Sequence, residues 1–268
     1  MRRSRIAVFV SSILLAAGTA LTGATAAQAS QQAATGGYVA LGDSYSSGVG
    51  AGSYLSASGD CKQSTKAYPY LWAAAHSPST FDFKACSGAR TGDVLANQLG
   101  TLSSATALVS ITIGGNDAGF ADVMTTCVLQ SDSTCLSRIN TAKAYVDSTL
   151  PGRLDNVYSA ISAKAPNAHV VVIGYPRFYK LGTTCLGLSE TKRTAINGAA
   201  DYLDTAINKA AANHGFAFGD VRSTFTGHEI CSGSSWLHSV NWLNIGESYH
   251  PTASGQSGGY LPVLNGAV

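Results

Sequence analysis

The run His169-Val170-Val171-Val172-Ile173-Gly174 limits the fold more than any other part of the chain. It is too short for a stable helix, is β-branched at successive positions, and would present apolar side chains on both faces. Such a strand needs cover on both sides, as in a parallel sheet, and we place it at the sheet's centre. Tyr38-Val39-Ala40-Leu41 before Gly42 and Leu108–Ile113 before Gly114-Gly115 read the same way, while Phe81–Ala85 and Phe216–Gly219 are weaker strands. Helical stretches lie between them: Ala67–His76, Thr91–Leu99 with Thr91 as a cap, Leu136–Lys164 split by Pro151, and a helix capped by Ser189 that runs to Asn213. Thr252 caps a final helix. Strands alternating with helices predict an α/β protein, a three-layer α/β/α sandwich around a parallel central sheet. No repeat or linker divides the chain, so residues 30–268 read as one domain.

The first 29 residues read as a secretory signal peptide. Met1-Arg2-Arg3-Ser4-Arg5 is a basic start, Ile6 to about Leu21 an apolar core, and Ala27-Gln28-Ala29 a small-residue cleavage site. A secreted, extracellular protein is expected, without stable membrane insertion, since no other segment is long and apolar enough to span a bilayer. Arg2-Arg3 alone does not decide the export route. The formal charge of +2 is misleading, because three of the 17 Lys and Arg lie in the signal segment and none of the 15 Asp and Glu does, leaving the remainder one unit negative. Nothing in that balance suits nucleic acid. An even set of six cysteines behind a signal peptide points to three disulfides, and spacing alone does not select the pairing. With no C-x-x-C, the cysteines are not read as a metal site, and no metal is expected at His228, Glu229 and His238 either.

The chemistry begins where the first apolar run meets Gly42-Asp43-Ser44-Tyr45-Ser46-Ser47-Gly48, which places a serine hydroxyl at a strand's carboxyl end, the ligand-binding edge of open α/β sheets. Cys86-Ser87-Gly88-Ala89-Arg90-Thr91-Gly92, Gly114-Gly115-Asn116-Asp117 and Ser248-Tyr249-His250-Pro251 complete a set. In this order the four segments resemble the sequence blocks of the SGNH (GDSL) esterase and lipase family. The similarity runs from about Tyr38 to the C-terminus and is greatest to the family's small secreted actinobacterial lipases and phospholipases.

The resemblance implies the flavodoxin-like architecture of that family and a serine ester hydrolase with no cofactor. Ser44 is then the nucleophile and His250 its general base, since an imidazole can carry the proton from serine to leaving group. The amides of Ser44 and Gly88 and the side chain of Asn116 form the oxyanion hole. The family often has Asp three residues before the histidine. Here that position is Glu247, and either its carboxylate or a main-chain carbonyl, that of Ser248, orients the ring. The resemblance also matches sequential disulfides, Cys61–Cys86, Cys127–Cys135 and Cys185–Cys231. Asp43 is read as a buttress of the serine turn, Asp117 as a helix cap, and Arg90 as a tie along the same edge.

Tyr45, Tyr175-Pro176-Arg177-Phe178-Tyr179, Trp236 and Trp242 are candidates for an acyl groove. The expected substrate is a lipid or other acyl ester, with phospholipase A-type activity included, and the default state is a monomer. Two other functions fit the same residues: a carbohydrate O-deacetylase, separated by chain-length preference, and a non-catalytic cell-surface binding module. The latter is expected to have lost Ser44, Gly88, Asn116 or His250, and all four are present.

Overall fold

The structure is a computed structural model that describes residues 36–268; the expected signal segment lies outside the described residues. Five parallel strands form one sheet in the order β2-β1-β3-β4-β5. In chain order, β1 (Gly37–Gly42) leads into a single helical turn, α1 (Ser44–Ser47), and then α2 (Tyr68–His76). Next come β2 (Thr80–Phe83), α3 (Thr91–Asp93), which continues as a wider π turn over Val94–Gln98, and β3 (Thr106–Thr112). Four longer helices bracket the next strand: α4 (Phe120–Leu129), α5 (Asp132–Ser148) and α6 (Leu150–Lys164) precede β4 (His169–Ile173), and α7 (Glu190–Asn213) follows it. The chain closes with β5 (Ala217–Gly219) and α8 (Leu261–Ala267).

Helices α2 and α8 pack together on the sheet, while α4, α5, α6 and α7 pack on one another as a second layer. The order is that of doubly wound flavodoxin-like sheets, whose switch point lies between β1 and β3. Most of the expected elements stand within a few residues of their expected ends. Ser189 accepts from the amide of Lys192 as the N-cap of α7, and the long helical stretch breaks at Thr149, with Pro151 in the first turn of α6.

One placement differs. The central strand is β3, buried along its whole length, whereas β4 lies one strand from the edge. Helices cover β4 on both faces, so its composition reports cover rather than rank in the sheet. The loop after Gly48 is buried through Ala51 and tied down, with Val49 N donating to the Ser44 carbonyl and Ala51 N to that of Gly48.

The disulfides are Cys61–Cys86, Cys127–Cys135 and Cys185–Cys231. Cys127–Cys135 staples α4 to α5 across a short break rather than closing an irregular loop. Each crosslink typically stabilises by about 2–4 kcal/mol. Among the described residues no helix is long and apolar enough to cross a membrane.

Candidate active site

Gly42 ends β1 with φ +118, and a Cβ there would lie 2.3 Å from the Thr112 carbonyl oxygen, so only glycine permits this close passage between β1 and β3. Both main-chain groups of Gly42 pair with the buried side-chain amide of Gln98: its N–H donates to Oε1 at 2.7 Å and its carbonyl accepts from Nε2 at 2.9 Å. The chain then turns at Asp43, whose carboxylate accepts from the Tyr45 amide, from Thr112 Oγ1 at 2.6 Å and from the Tyr175 hydroxyl. Burial pushes the Asp43 carboxyl up to about 6, against those hydrogen bonds, which favour its charged form. Asp43 is thus the buttress expected of it, and Ser44 opens α1 beside it, largely buried.

His250 arrives from the far end of the chain. Its Nε2 lies 2.8 Å from Ser44 Oγ and its Nδ1 3.0 Å from the Ser248 carbonyl oxygen. A carbonyl only accepts, so Nδ1 carries the proton and Nε2 is left to accept from the serine hydroxyl. The two-residue reach from Ser248 to His250 requires Tyr249 in the left-handed region, φ +67, and the Tyr45 hydroxyl donates to the Tyr249 carbonyl at 2.7 Å to hold it. Burial pushes the imidazole down to about 4; the bond to Ser248 opposes this, and His238 and Lys62 add to it. Glu247 does not meet the ring, because its Oε1 accepts from the Tyr54 hydroxyl at 2.7 Å.

Three sets of donors face the same space. The amides of Ser44 and Gly88 donate to no group among the described residues, and Gly88, φ +77, has nothing within 4 Å of where a Cβ would stand. One N–H of the Asn116 side chain is held by the Ala89 carbonyl at 3.0 Å, leaving the second free. Gly88 and Asn116 are kept adjacent by Asp117, which accepts from Thr91 N and, at 2.6 Å, from Thr91 Oγ1. Asp117 therefore bridges two loops rather than capping a helix, and the Thr91 hydroxyl is spent on that bridge rather than on a cap. Arg90 is exposed, and its backbone amide, not its guanidinium, is engaged, with Asp93.

Ser44, Gly88, Asn116 and His250 line the mouth of a cavity of about 550 Å³. Its walls are apolar: Phe120, Met124 and Val128 from α4, Ala142 and Val146 from α5, and Ile196, Ala200 and Leu203 from α7. Of the acyl-groove candidates, Tyr45, Tyr175, Phe178 and Trp242 reach this cavity, whereas Pro176, Arg177, Tyr179 and Trp236 do not. Trp236 stacks on His228 with centroids 3.5 Å apart, and Arg177 pairs with Asp201 at 3.0 Å. His228 Nδ1 meets the Ser234 carbonyl and His238 Nε2 that of Gly50, while the Glu229 carboxylate accepts from the Gly227 amide. Among the described residues no cluster of His, Cys, Asp or Glu is arranged to hold a metal ion.

The GDSL-like lipase/acylhydrolase family model matches residues 40–257, the stretch that carries all of these side chains. The chain belongs to that family. It is a carboxylic ester hydrolase of the lipase and esterase type. It is 82% identical to Lipase 1 of Streptomyces coelicolor over 268 residues, with both chains covered in full. Among solved structures, a phospholipase A1 from Streptomyces albidoflavus NA297 superposes with a TM-score of 0.86 at 71% identity, covering 87% of this chain and 100% of that one. An extracellular lipase from Streptomyces rimosus gives 0.85 at 67%, with the same coverage.

Two residues that shape the site, Gln98 and Gln256, carry no signal of their own in the sequence and act through partners far along the chain. Gln256, for example, donates to the Tyr45 carbonyl and accepts from the Tyr68 amide.

Proposed function

We propose that the protein is an exported lipase that cleaves acyl esters of lipids through an acyl-Ser44 intermediate, with residues 1–29 as its export segment and residues 30–268 as one domain. The single observation that carries this is the Ser44–His250 contact of 2.8 Å at the mouth of an apolar cavity. In the free protein the imidazole is neutral over the whole physiological range, so it takes the Ser44 proton as Oγ attacks the ester carbonyl carbon. The resulting oxyanion faces the Ser44 and Gly88 amides and the free N–H of Asn116. His250 then passes its proton to the departing alcohol oxygen, and a water activated by the same ring releases the fatty acid. The Ser248 carbonyl orients the imidazole, and Glu247 stands outside the machinery. A carbonyl stabilises an imidazolium less than a carboxylate does, but it fixes the tautomer equally well.

The acyl chain lies in the cavity. Eight residue steps of α4, from Phe120 to Val128, form one wall about 12 Å long, which suits a medium or long chain. An acetyl group would leave nearly all of that space empty, which disfavours the carbohydrate deacetylase. Phospholipids are the next substrates to test, because the Streptomyces albidoflavus relative is a phospholipase A1. The experiment is the hydrolysis rate on p-nitrophenyl esters from acetyl to palmitoyl, with Ser44→Ala as control. The expected result is an optimum at medium or long chains that vanishes in Ser44→Ala. An optimum at acetyl would replace this proposal with the deacetylase, and an ester activity that survives Ser44→Ala would refute it.

A further inference from the structure

The loop that delivers His250 also carries the most exposed apolar side chains near the site. Trp242, Leu243 and Ile245 are 71%, 100% and 64% exposed, three large apolar groups within four residues. Isolated exposed leucines need no explanation, but a cluster at the mouth of a binding cavity marks an interaction site. Trp242 and Ile245 line that mouth, and so does Leu129 at the end of α4, itself 62% exposed. Leu243 stands clear of the cavity at the outer tip.

The tip is preformed. Asn241 Oδ1 accepts from the amides of both Leu243 and Asn244 at 3.1 Å, an Asx-type turn that satisfies main-chain donors from within. Below the tip, the Asn241 amide donates to Ser248 Oγ, and the bridge between Leu237 and Pro251 closes the base of the loop. The amides of Leu243 and Asn244, paired within the tip, can enter an apolar layer without being stranded. Trp242 belongs to the residue type that settles where hydrocarbon meets headgroups.

We propose that this loop is an interfacial anchor, seating Trp242, Leu243 and Ile245 in the surface layer of a lipid aggregate so that the cavity mouth opens onto the layer holding the acyl chains. The occupant is a lipid surface rather than a second protein, because the tip is continuous with the acyl cavity and its apolar rim. This rests on the lipid-ester reading above. The side chains seated in the layer are uncharged, so the attraction is apolar, and binding is expected neither to require anionic lipid nor to weaken with salt.

The test uses full-length mature Ser44→Ala protein, which leaves the lipid intact, sedimented with phosphatidylcholine vesicles. Adding Leu243→Asp is expected to lower the bound fraction about tenfold, the scale of losing one buried leucine. In the active protein, Leu243→Asp is expected to leave turnover on a soluble short-chain p-nitrophenyl ester within about twofold, as for an exposed substitution. Vesicle binding that is absent in the parent, or unchanged by Leu243→Asp, overturns the anchor, and so does a parallel loss on the soluble ester. Self-association broken by Leu243→Asp while vesicle binding is unchanged assigns the tip to a second copy and also overturns it. Binding that depends on Leu243 in a protein that hydrolyses soluble but no lipid esters upholds the anchor and removes the lipid-ester reading.

Discussion

Ser44 sits on a turn tied to the sheet through Asp43 and Ser46; His250 sits between an exposed loop tip and Tyr249, whose ring is buried against Phe120, Phe178 and Tyr179. Around the serine, Asp43, Ser46 and Ser47 are essentially inaccessible, and Ser46 Oγ meets both the Tyr68 hydroxyl at 2.8 Å and Thr112 Oγ1 at 2.9 Å. Around the histidine, residues 242–246 are exposed, and the loop is held by Tyr45 on the Tyr249 carbonyl, by His238 on Gly50 and by Tyr54 on Glu247. The turn and Tyr249 are part of the fold, whereas the tip at 242–246 lies outside it. Damage to the turn therefore costs stability together with activity, whereas removing the His250 ring costs activity alone.

The sharpest way to break that comparison is His250→Ala. It is expected to lower kcat/KM by about 10⁴-fold or more while the melting temperature hardly moves; a large fall in melting temperature would make the ring itself part of the fold. On the other side, Asp43→Ala leaves the Tyr45 amide and the Thr112 and Tyr175 hydroxyls without their acceptor. It is expected to destabilise by about 3 kcal/mol in urea unfolding, with activity lost as well. A stable but inactive Asp43→Ala would instead give that residue a direct part in the chemistry.

The pH dependence sharpens the loop's half of the comparison. Activity needs the neutral imidazole, which is the form above its pKa. Burial holds that value near 4 rather than 6.5, so the imidazole is expected to give kcat/KM its acid limb toward 4, while a fall that sets in near 6 belongs to the buried Asp43 carboxyl. A ring that titrates at the ordinary value would mean that the loop leaves it in water. The smallest effect is expected for Glu247→Gln, less than about tenfold in turnover, because the orienting acceptor is the Ser248 carbonyl. A thousandfold loss there would make the carboxylate the orienting group.

The turn and the loop were not equally legible in the sequence. Gly42-Asp43-Ser44, Gly88, Asn116 and His250 stand out because the segments that carry them resemble, in order, the sequence blocks of the SGNH (GDSL) family. The strands stand out because a sheet covered on both faces demands β-branched runs. The rank of those strands does not: the run at His169 is the most continuous, yet the centre belongs to β3, a matter of crossovers rather than composition. Gln98 reads as one polar residue on a helix, and nothing local says that it closes both main-chain groups of Gly42, 56 positions away. Asp117 looks like a cap because it stands just before a helix, but its partner is Thr91 in another loop. The choice between Glu247 and the Ser248 carbonyl turns on the left-handed backbone at Tyr249, a conformation that the residue type disfavours.

The most direct test is to label the protein with a long-chain alkyl phosphonate ester that mimics the tetrahedral stage, followed by peptide mass analysis. The account predicts a single adduct on the peptide bearing Ser44, absent from Ser44→Ala and formed far more slowly in His250→Ala. An adduct on any other residue, or labelling of Ser44 that is indifferent to His250, would contradict it.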